Sequence, residues 1–289
     1  RGACGARLSS CIVDSMNETR LTFIGGGNMA ASLVGGLIAD GWKAANICVA
    51  DTDSGRLKRL AERFGVKTSP DNRVAAESAD VIVLAIKPQV IKPVAQDLAA
   101  LVEARQPLVI SIAAGIREAS LRNWLGQQSA IVRSMPNTPA LVQSGATALF
   151  ANENTSEDQR NIAESILRAV GIAVWVDDET LMDAVTALSG SGPAYFFLFM
   201  EAMQAAGREL GLPEKTARLL TLQTAFGAAK IALESSEEVT TLRQRVTSPG
   251  GTTERAVQSL QNGDLEGLVH RALQAAAARS RELGDELGK

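Results

Sequence analysis

From residue 21 the chain alternates short apolar runs with longer stretches of helical period. The runs at residues 21–24, 47–50, 81–86, 108–112 and 130–132 carry no regular polar alternation, so they predict strands buried on both faces. Between them, 28–40, 54–64, 89–104 and 117–125 have the length and period of helices. Two further strands, 146–150 and 172–176, flank a helix at 156–169. Repeated β-α-β units with such strands predict an α/β fold built on a doubly wound parallel sheet. After residue 177 the pattern changes. Residues 180–283 read as helices throughout, broken at 190–193, 211–213 and 248–251. The long segments 195–210 and 216–233 carry apolar residues on more than one face, more than a lone small bundle needs, and predict a dimer interface. The expected organisation is therefore a dinucleotide-binding domain over 16–178 and a helical dimerisation and substrate-binding domain over 179–289.

Residues 1–15 fit neither pattern and lack the apolar core of a signal peptide. They are expected to be extraneous to the native chain or disordered, with Met16 reading as a natural start. The 29 Lys and Arg nearly balance the 32 Asp and Glu, which gives no electrostatic case for nucleic acid or an anionic membrane. No apolar run approaches the roughly 20 residues of a membrane span, and the chain is expected to be cytoplasmic. Cys4, Cys11, Cys48 and the single His270 have no metal-ligand spacing, so no metal is expected. One histidine near the C-terminus also argues against Ser-His-Asp or Cys-His catalysis.

The first strand, Leu21-Thr22-Phe23-Ile24, runs directly into Gly25-Gly26-Gly27-Asn28-Met29-Ala30. This is G-x-G-x-x-A between a strand and a helix. Gly25 permits the tight turn, Gly27 lets backbone approach a pyrophosphate, and Ala30 allows close helix–strand packing. A Gly-rich turn without a ligand is the plainer alternative, but the match opens the first of several β-α units. The second strand ends near Asp51, about where an acid bonds the adenosine ribose of NAD. Ser54, Arg56, Lys58 and Arg59 follow, and a basic side chain there could instead embrace the 2′-phosphate of NADP or simply face solvent. The residues leave that choice open.

Three further segments are more specific: Ala85-Ile86-Lys87-Pro88-Gln89, Met135-Pro136-Asn137-Thr138-Pro139, and the pair Leu188-Ser189-Gly190-Ser191-Gly192-Pro193-Ala194-Tyr195 and Thr247-Ser248-Pro249-Gly250-Gly251-Thr252-Thr253. In this order, with the Gly-rich turn, the chain resembles the pyrroline-5-carboxylate reductase family from about Arg20 to Leu283. The resemblance implies a Rossmann domain followed by an all-helical dimerisation domain, as a homodimer assembled into a larger ring such as a decamer. It implies reduction of pyrroline-5-carboxylate to proline with NADPH, NADH being the alternative that Asp51 and Asp53 keep open. By the same resemblance Ile24, Gly25, Gly26, Gly27, Asn28 and Met29 hold the pyrophosphate. Ala85, Ile86, Lys87 and Pro88 line the nicotinamide side with Ala113, Ala114 and Gly115, and Asn72 lies near the adenosine, where its spacing from the Gly-rich turn also puts Asp51, a departure from the family together with Asp53. Ser248, Gly250, Gly251, Thr252 and Thr253, supplied by the partner protomer, receive the substrate, with Glu179 nearby.

The physics of the 248–253 segment agrees with that role. Glycines ahead of a helix expected to begin near Glu254 expose backbone N–H groups where the helix dipole favours a carboxylate, although ordinary capping would use the same residues. A cyclic imine is basic enough to be partly protonated near neutrality, so catalysis needs positioning more than a strong acid. Thr253 is expected to hold the ring nitrogen, with Thr186 and Ser189 supporting the same pocket. Two alternatives remain: a β-hydroxyacid-type dehydrogenase, which needs a general base where only Lys215 and Lys230 are available between 180 and 288, and a non-catalytic dinucleotide sensor.

Overall fold

Short apolar strands with no polar face are stable only when helices cover both sides of the sheet. The computed structural model describes residues 18–289, so the expectations for 1–15, Met16, Cys4 and Cys11 lie outside the described residues. One sheet carries eight strands in the order β3-β2-β1-β4-β5-β6-β7-β8. They are β1 Leu21–Ile24, β2 Ile47–Ala50, β3 Lys67–Ser69, β4 Val81–Leu84, β5 Leu108–Ser111, β6 Ala130–Met135, β7 Gly145–Ala151 and β8 Gly171–Trp175. The first six are parallel. β7 turns back antiparallel to β6, with Val132 opposite Ala151, and β8 pairs parallel with β7. The doubly wound parallel pattern thus holds through β6 and reverses there. The connection 136–144, wound into the 3-10 turn Thr138–Val142, is shorter than the dozen or so residues a parallel crossover requires.

The helices of this unit are α1 Asn28–Ala39, α2 Ser54–Phe64, α3 Asn72–Ala76, α4 Pro88–Arg105, α5 Glu118–Leu125 and α6 Glu157–Arg168. Alternate strand residues feed opposite layers. Leu21 and Phe23 pack with Leu33 and Leu37 of α1 and Ile166 of α6, whereas Ile24 packs in the layer of Ile91 and Leu98 of α4. The polar Thr22 is kept in this core by donating to the Ala75 carbonyl at 2.8 Å. Sequence patterning missed β3 and α3, because three polar residues and a five-residue helix are too short to show a period.

By compactness one unit runs to Gly190 and takes in Ala276–Lys289, and the other spans Ser191–Ala275. The cause is packing. Helix α7, Leu181–Val185, and the π turn Thr186–Gly190 bury Met182 and Ala187 within the first unit. The end of the last helix returns to it through Ser280 to Asp183 at 2.6 Å and Arg117 to Asp285 at 2.8 Å.

The second unit holds α8 Gly192–Glu209, α9 Glu214–Glu234, α10 Val239–Arg245, α11 Thr252–Asn262 and the start of α12 Leu265–Leu287. α8 packs on α9, yet Phe196 and Phe226 are 68% and 61% exposed in the single chain, alongside Phe197, Leu219 and Leu233. Apolar area of that kind marks a protein–protein contact. Among the described residues no helix is long and apolar enough to cross a membrane.

Candidate active site

β1 is followed by a crossover to β2 on one side, while β4 lies on its other side, so a crevice opens at the carboxyl ends of β1 and β4. The Gly-rich turn stands at that crevice. Gly25 has φ +99°, and a Cβ there would lie 2.5 Å from the Ala85 carbonyl oxygen; only glycine fits. Gly27 is the N-cap of α1 with no side-chain cap, and a Cβ on it would meet nothing within 4 Å. The first N–H groups of α1 therefore have no side-chain cap, at a turn with open space at Gly27, an exposed Asn28 and a half-buried Met29. An anion is the natural partner, and the turn fits a dinucleotide pyrophosphate. Ala30, 1% exposed, lets α1 approach the sheet as expected.

The acid at the end of β2 does more than flank this turn. Asp51 Oδ2 accepts from the Gly26 N–H at 2.7 Å and from Arg56 Nη1 at 2.8 Å, and Oδ1 accepts from the Asp53 N–H at 2.9 Å. Burial pushes its carboxyl up, but those hydrogen bonds and the Arg56 charge outweigh burial and hold it below the ordinary aspartate range. Of the basic residues beyond it, only Arg56 turns inward; Lys58 is 75% exposed and pairs with Glu62 on the α2 surface. Asn72 opens α3 at the end of β3, half-buried, behind the Asp71 cap.

The loops after β4 and β5 lie in the same row. Ala85 donates to the Ile24 carbonyl at 2.8 Å, which carries the pairing of β4 with β1 past the strand end. Ile86 is half-buried, Lys87 is an exposed N-cap and Pro88 begins α4. Ala113 donates to Ser111 Oγ at 3.3 Å, Ala114 is half-buried, and Gly115 turns with φ +74°. Glu179 is half-buried, and one of its oxygens takes the Glu118 N–H at 2.7 Å and Arg133 Nη1 at 2.8 Å. This makes Glu179 a brace between β6 and α5. Arg133, only 6% exposed at its side chain, was not foreseen, since a lone arginine in an apolar strand has no sequence signature.

Thr186 and Ser189 sit on the π turn. Thr186 Oγ1 donates to the Met182 carbonyl at 2.8 Å, while Ser189 receives the side-chain amide of Asn137. Asn137 belongs to a motif visible in the sequence but was given no role there.

In the second unit the 248–253 segment forms a tight turn. Gly250 has φ +72°, and its N–H donates to Glu254 Oε2 at 2.8 Å. The Gly251 N–H donates to the Ser248 carbonyl at 3.0 Å. The helix begins at Thr252, not near Glu254, with Gly251 as N-cap and no side-chain cap. Glycine ahead of Thr252 already supplies the extended backbone that ends the turn. Thr252 and Thr253 therefore occupy the first turn of α11, both exposed, and Thr253 is not the capping residue. The Gly250 and Gly251 N–H groups are thus engaged within the turn, and the first N–H groups of α11, which have no side-chain cap, are the ones suited to a carboxylate.

Comparison with known proteins adds to this geometry. The family model for pyrroline-5-carboxylate reductase dimerisation matches residues 179–283, and that for coenzyme F420-dependent NADP oxidoreductase matches 20–115. A pyrroline-5-carboxylate reductase of Pseudomonas aeruginosa is 53% identical over 95% of this chain and 100% of its own length. Its Pasteurella multocida counterpart is 45% identical over 93% and 98%. Among solved structures, a pyrroline-5-carboxylate reductase from Coxiella burnetii superposes with TM-score 0.90 at 52% identity, covering 92% of this chain and 99% of that one. The Plasmodium falciparum pyrroline carboxylate reductase with NADP bound gives 0.82 at 30% identity, covering 93% and 99%.

Proposed function

The chain belongs to the pyrroline-5-carboxylate reductase family, and from that premise we propose that it reduces 1-pyrroline-5-carboxylate to L-proline with NAD(P)H, the last step of proline biosynthesis. The observation that carries the cofactor side of this reading is the uncapped Gly27 end of α1, open at the switch point of the sheet.

When bound, the reduced nicotinamide supplies a hydride to the ring carbon of the C=N bond, while the nitrogen carries the proton that leaves it a neutral amine. The chain's own residues bind and orient. The backbone from Ile24 through Met29 holds the pyrophosphate; Asp51 and Asn72 flank the adenosine. The loops at 85–88 and 113–115 line the nicotinamide side. Ser248, Gly250, Gly251 and Thr252 take the carboxylate from the partner protomer, and the Thr253 hydroxyl holds the ring nitrogen. Thr186, Ser189 and Glu179 support the substrate side. No histidine is needed, since a protonated imine asks only for alignment and charge.

The homodimer follows from the dimerisation family of the second unit and its uncovered apolar helices. We extend this to a ring of dimers, such as a decamer, working in the cytoplasm. The hydroxyacid dehydrogenase alternative is not favoured: Lys230 pairs with Glu234 at 3.7 Å on an exposed helix face, and Lys215 is exposed on α9. Initial rates on the cyclic imine acid with NADPH, set beside oxidation of short β-hydroxy acids with NADP, test the reading. Turnover confined to hydroxy acids would overturn it.

A further inference from the structure

Three segments of the first unit meet at one side-chain amide just beyond the end of β6. Asn137 Oδ1 accepts the Ala146 N–H at 2.9 Å, which fixes the end of the amide that carries oxygen. Nδ2 therefore faces the π turn, where it lies 3.3 Å from both the carbonyl oxygen and the hydroxyl oxygen of Ser189. A hydroxyl that accepts from an N–H must aim its own proton elsewhere. Ser189 is half-buried, so few directions remain. The turn is pressed onto this strand end: a Cβ on Gly190 would lie 2.4 Å from Met135 Cε. π turns inside helices cost regular hydrogen bonding and recur at functional sites.

The position of this pair supports a role beyond packing. Along β1-β4-β5-β6, the segments 25–27, 85–88, 113–115 and Asn137 follow the carboxyl ends of neighbouring parallel strands. Three strand spacings separate β1 from β6, roughly 14 Å. Asn137 and Ser189 thus stand in the same row of loops as the pyrophosphate turn, at its far end.

We infer that Asn137 is a positioning residue: by donating to Ser189 it turns that hydroxyl into an outward hydrogen-bond donor for a carbonyl-type oxygen of the bound ligand. The acceptor is a carboxylate oxygen of the imine acid or the carboxamide oxygen of the cofactor. The identity of those ligands rests on the reductase reading above, which is tested on the unsubstituted chain, whereas this inference is tested by comparing variants.

Asn137→Asp keeps the acceptor for Ala146 but replaces the donor, so the Ser189 proton is drawn inward. It should lower kcat/KM for the imine, or raise the cofactor Kd, about tenfold. Ser189→Ala should give the same loss, Ser189→Thr should retain most function, and the double variant should be no worse than Ser189→Ala alone. Cofactor Kd is read by fluorescence titration. A loss there assigns the carboxamide; a loss in kcat/KM with Kd kept assigns the carboxylate. Losses that add in the double variant, or a Ser189→Ala chain equal to the unsubstituted one in both readouts, overturn the inference. Should Asn137→Asp fail to fold, the Ser189 pair still decides whether the hydroxyl acts.

Discussion

The Asp51 carboxylate grips the Gly26 N–H at 2.7 Å from behind the Gly-rich turn while holding Arg56 at 2.8 Å on the same oxygen. The acid therefore shapes the pyrophosphate turn and neutralises the one inward-facing base beside it. A 2′-phosphate would have to draw Arg56 away from Asp51, whereas a ribose hydroxyl would leave the pair intact. Asp51→Ser releases the arginine and removes a repelling charge. It should raise the NADPH-over-NADH affinity ratio about tenfold, the worth of one charge-assisted hydrogen bond. Fluorescence titration with both cofactors checks this; an unchanged ratio would place Asp51 outside the adenosine site.

Gly27 differs from Gly25 in what a side chain would meet. Gly25 is locked by its φ and the Ala85 carbonyl, but the space before Gly27 is open. Gly27→Val should fold with a melting temperature close to that of the unsubstituted chain and bind neither NADPH nor NADH measurably. Calorimetry showing normal dinucleotide affinity in the folded variant would remove the turn from cofactor binding.

Much of this was legible in the sequence, and the reason differs from part to part. β1, β2 and the Gly-rich turn are local: an apolar run, a glycine triplet and a helix period lie side by side in the chain. The reversal at β7 was invisible, because strand direction depends on the reach of the 136–144 connection and not on the pattern within β7. The return of the chain's end to the first unit was equally invisible, because it rests on Ser280 and Asp285 reaching Asp183 and Arg117, far away along the chain. The candidate site residues came from motif resemblance. Their partners, Arg133 for Glu179 and Asn137 for Ser189, are long-range contacts that no local period encodes.

Glu118 carries an opposite titration to Asp51. Burial pushes its carboxyl up, against the hydrogen bond from Asn152 at 2.9 Å and the charge of Arg122. A carboxyl raised in the folded state costs stability above its unfolded pKa, and the cost vanishes once pH falls below that value, about 4.3 for glutamate. Glu118→Gln, which keeps an acceptor for Asn152, should melt at or above the unsubstituted chain at neutral pH. The gap should close as the solution is acidified to about pH 4. A variant that melts lower at neutral pH, with a gap that does not respond to acid, would contradict this.

Thr253 lies in the first turn of α11 with Gly251 as the cap, so its hydroxyl is not committed to capping the helix. Thr253→Ala should leave the melting temperature nearly unchanged and lower turnover of the imine about 10- to 100-fold, one hydrogen bond near a charged group being worth roughly 1.5–3 kcal/mol. Thr253→Ser should retain most activity, and cofactor affinity should be the same in all three chains. A Thr253→Ala chain that melts about 1 kcal/mol less stable yet turns over normally would return Thr253 to a purely structural role.

The most direct measurement follows the hydride itself. The chain is supplied with pyrroline-5-carboxylate and NADPH deuterated on the transferred face of the nicotinamide C4, and the product is read by mass spectrometry and NMR. The expected result is L-proline carrying one deuterium on the ring carbon that was doubly bonded to nitrogen, with one oxidised cofactor formed per proline. Cofactor bound without proline formed, or proline formed without the label, would contradict the assignment of this chain as a nicotinamide-dependent imine reductase.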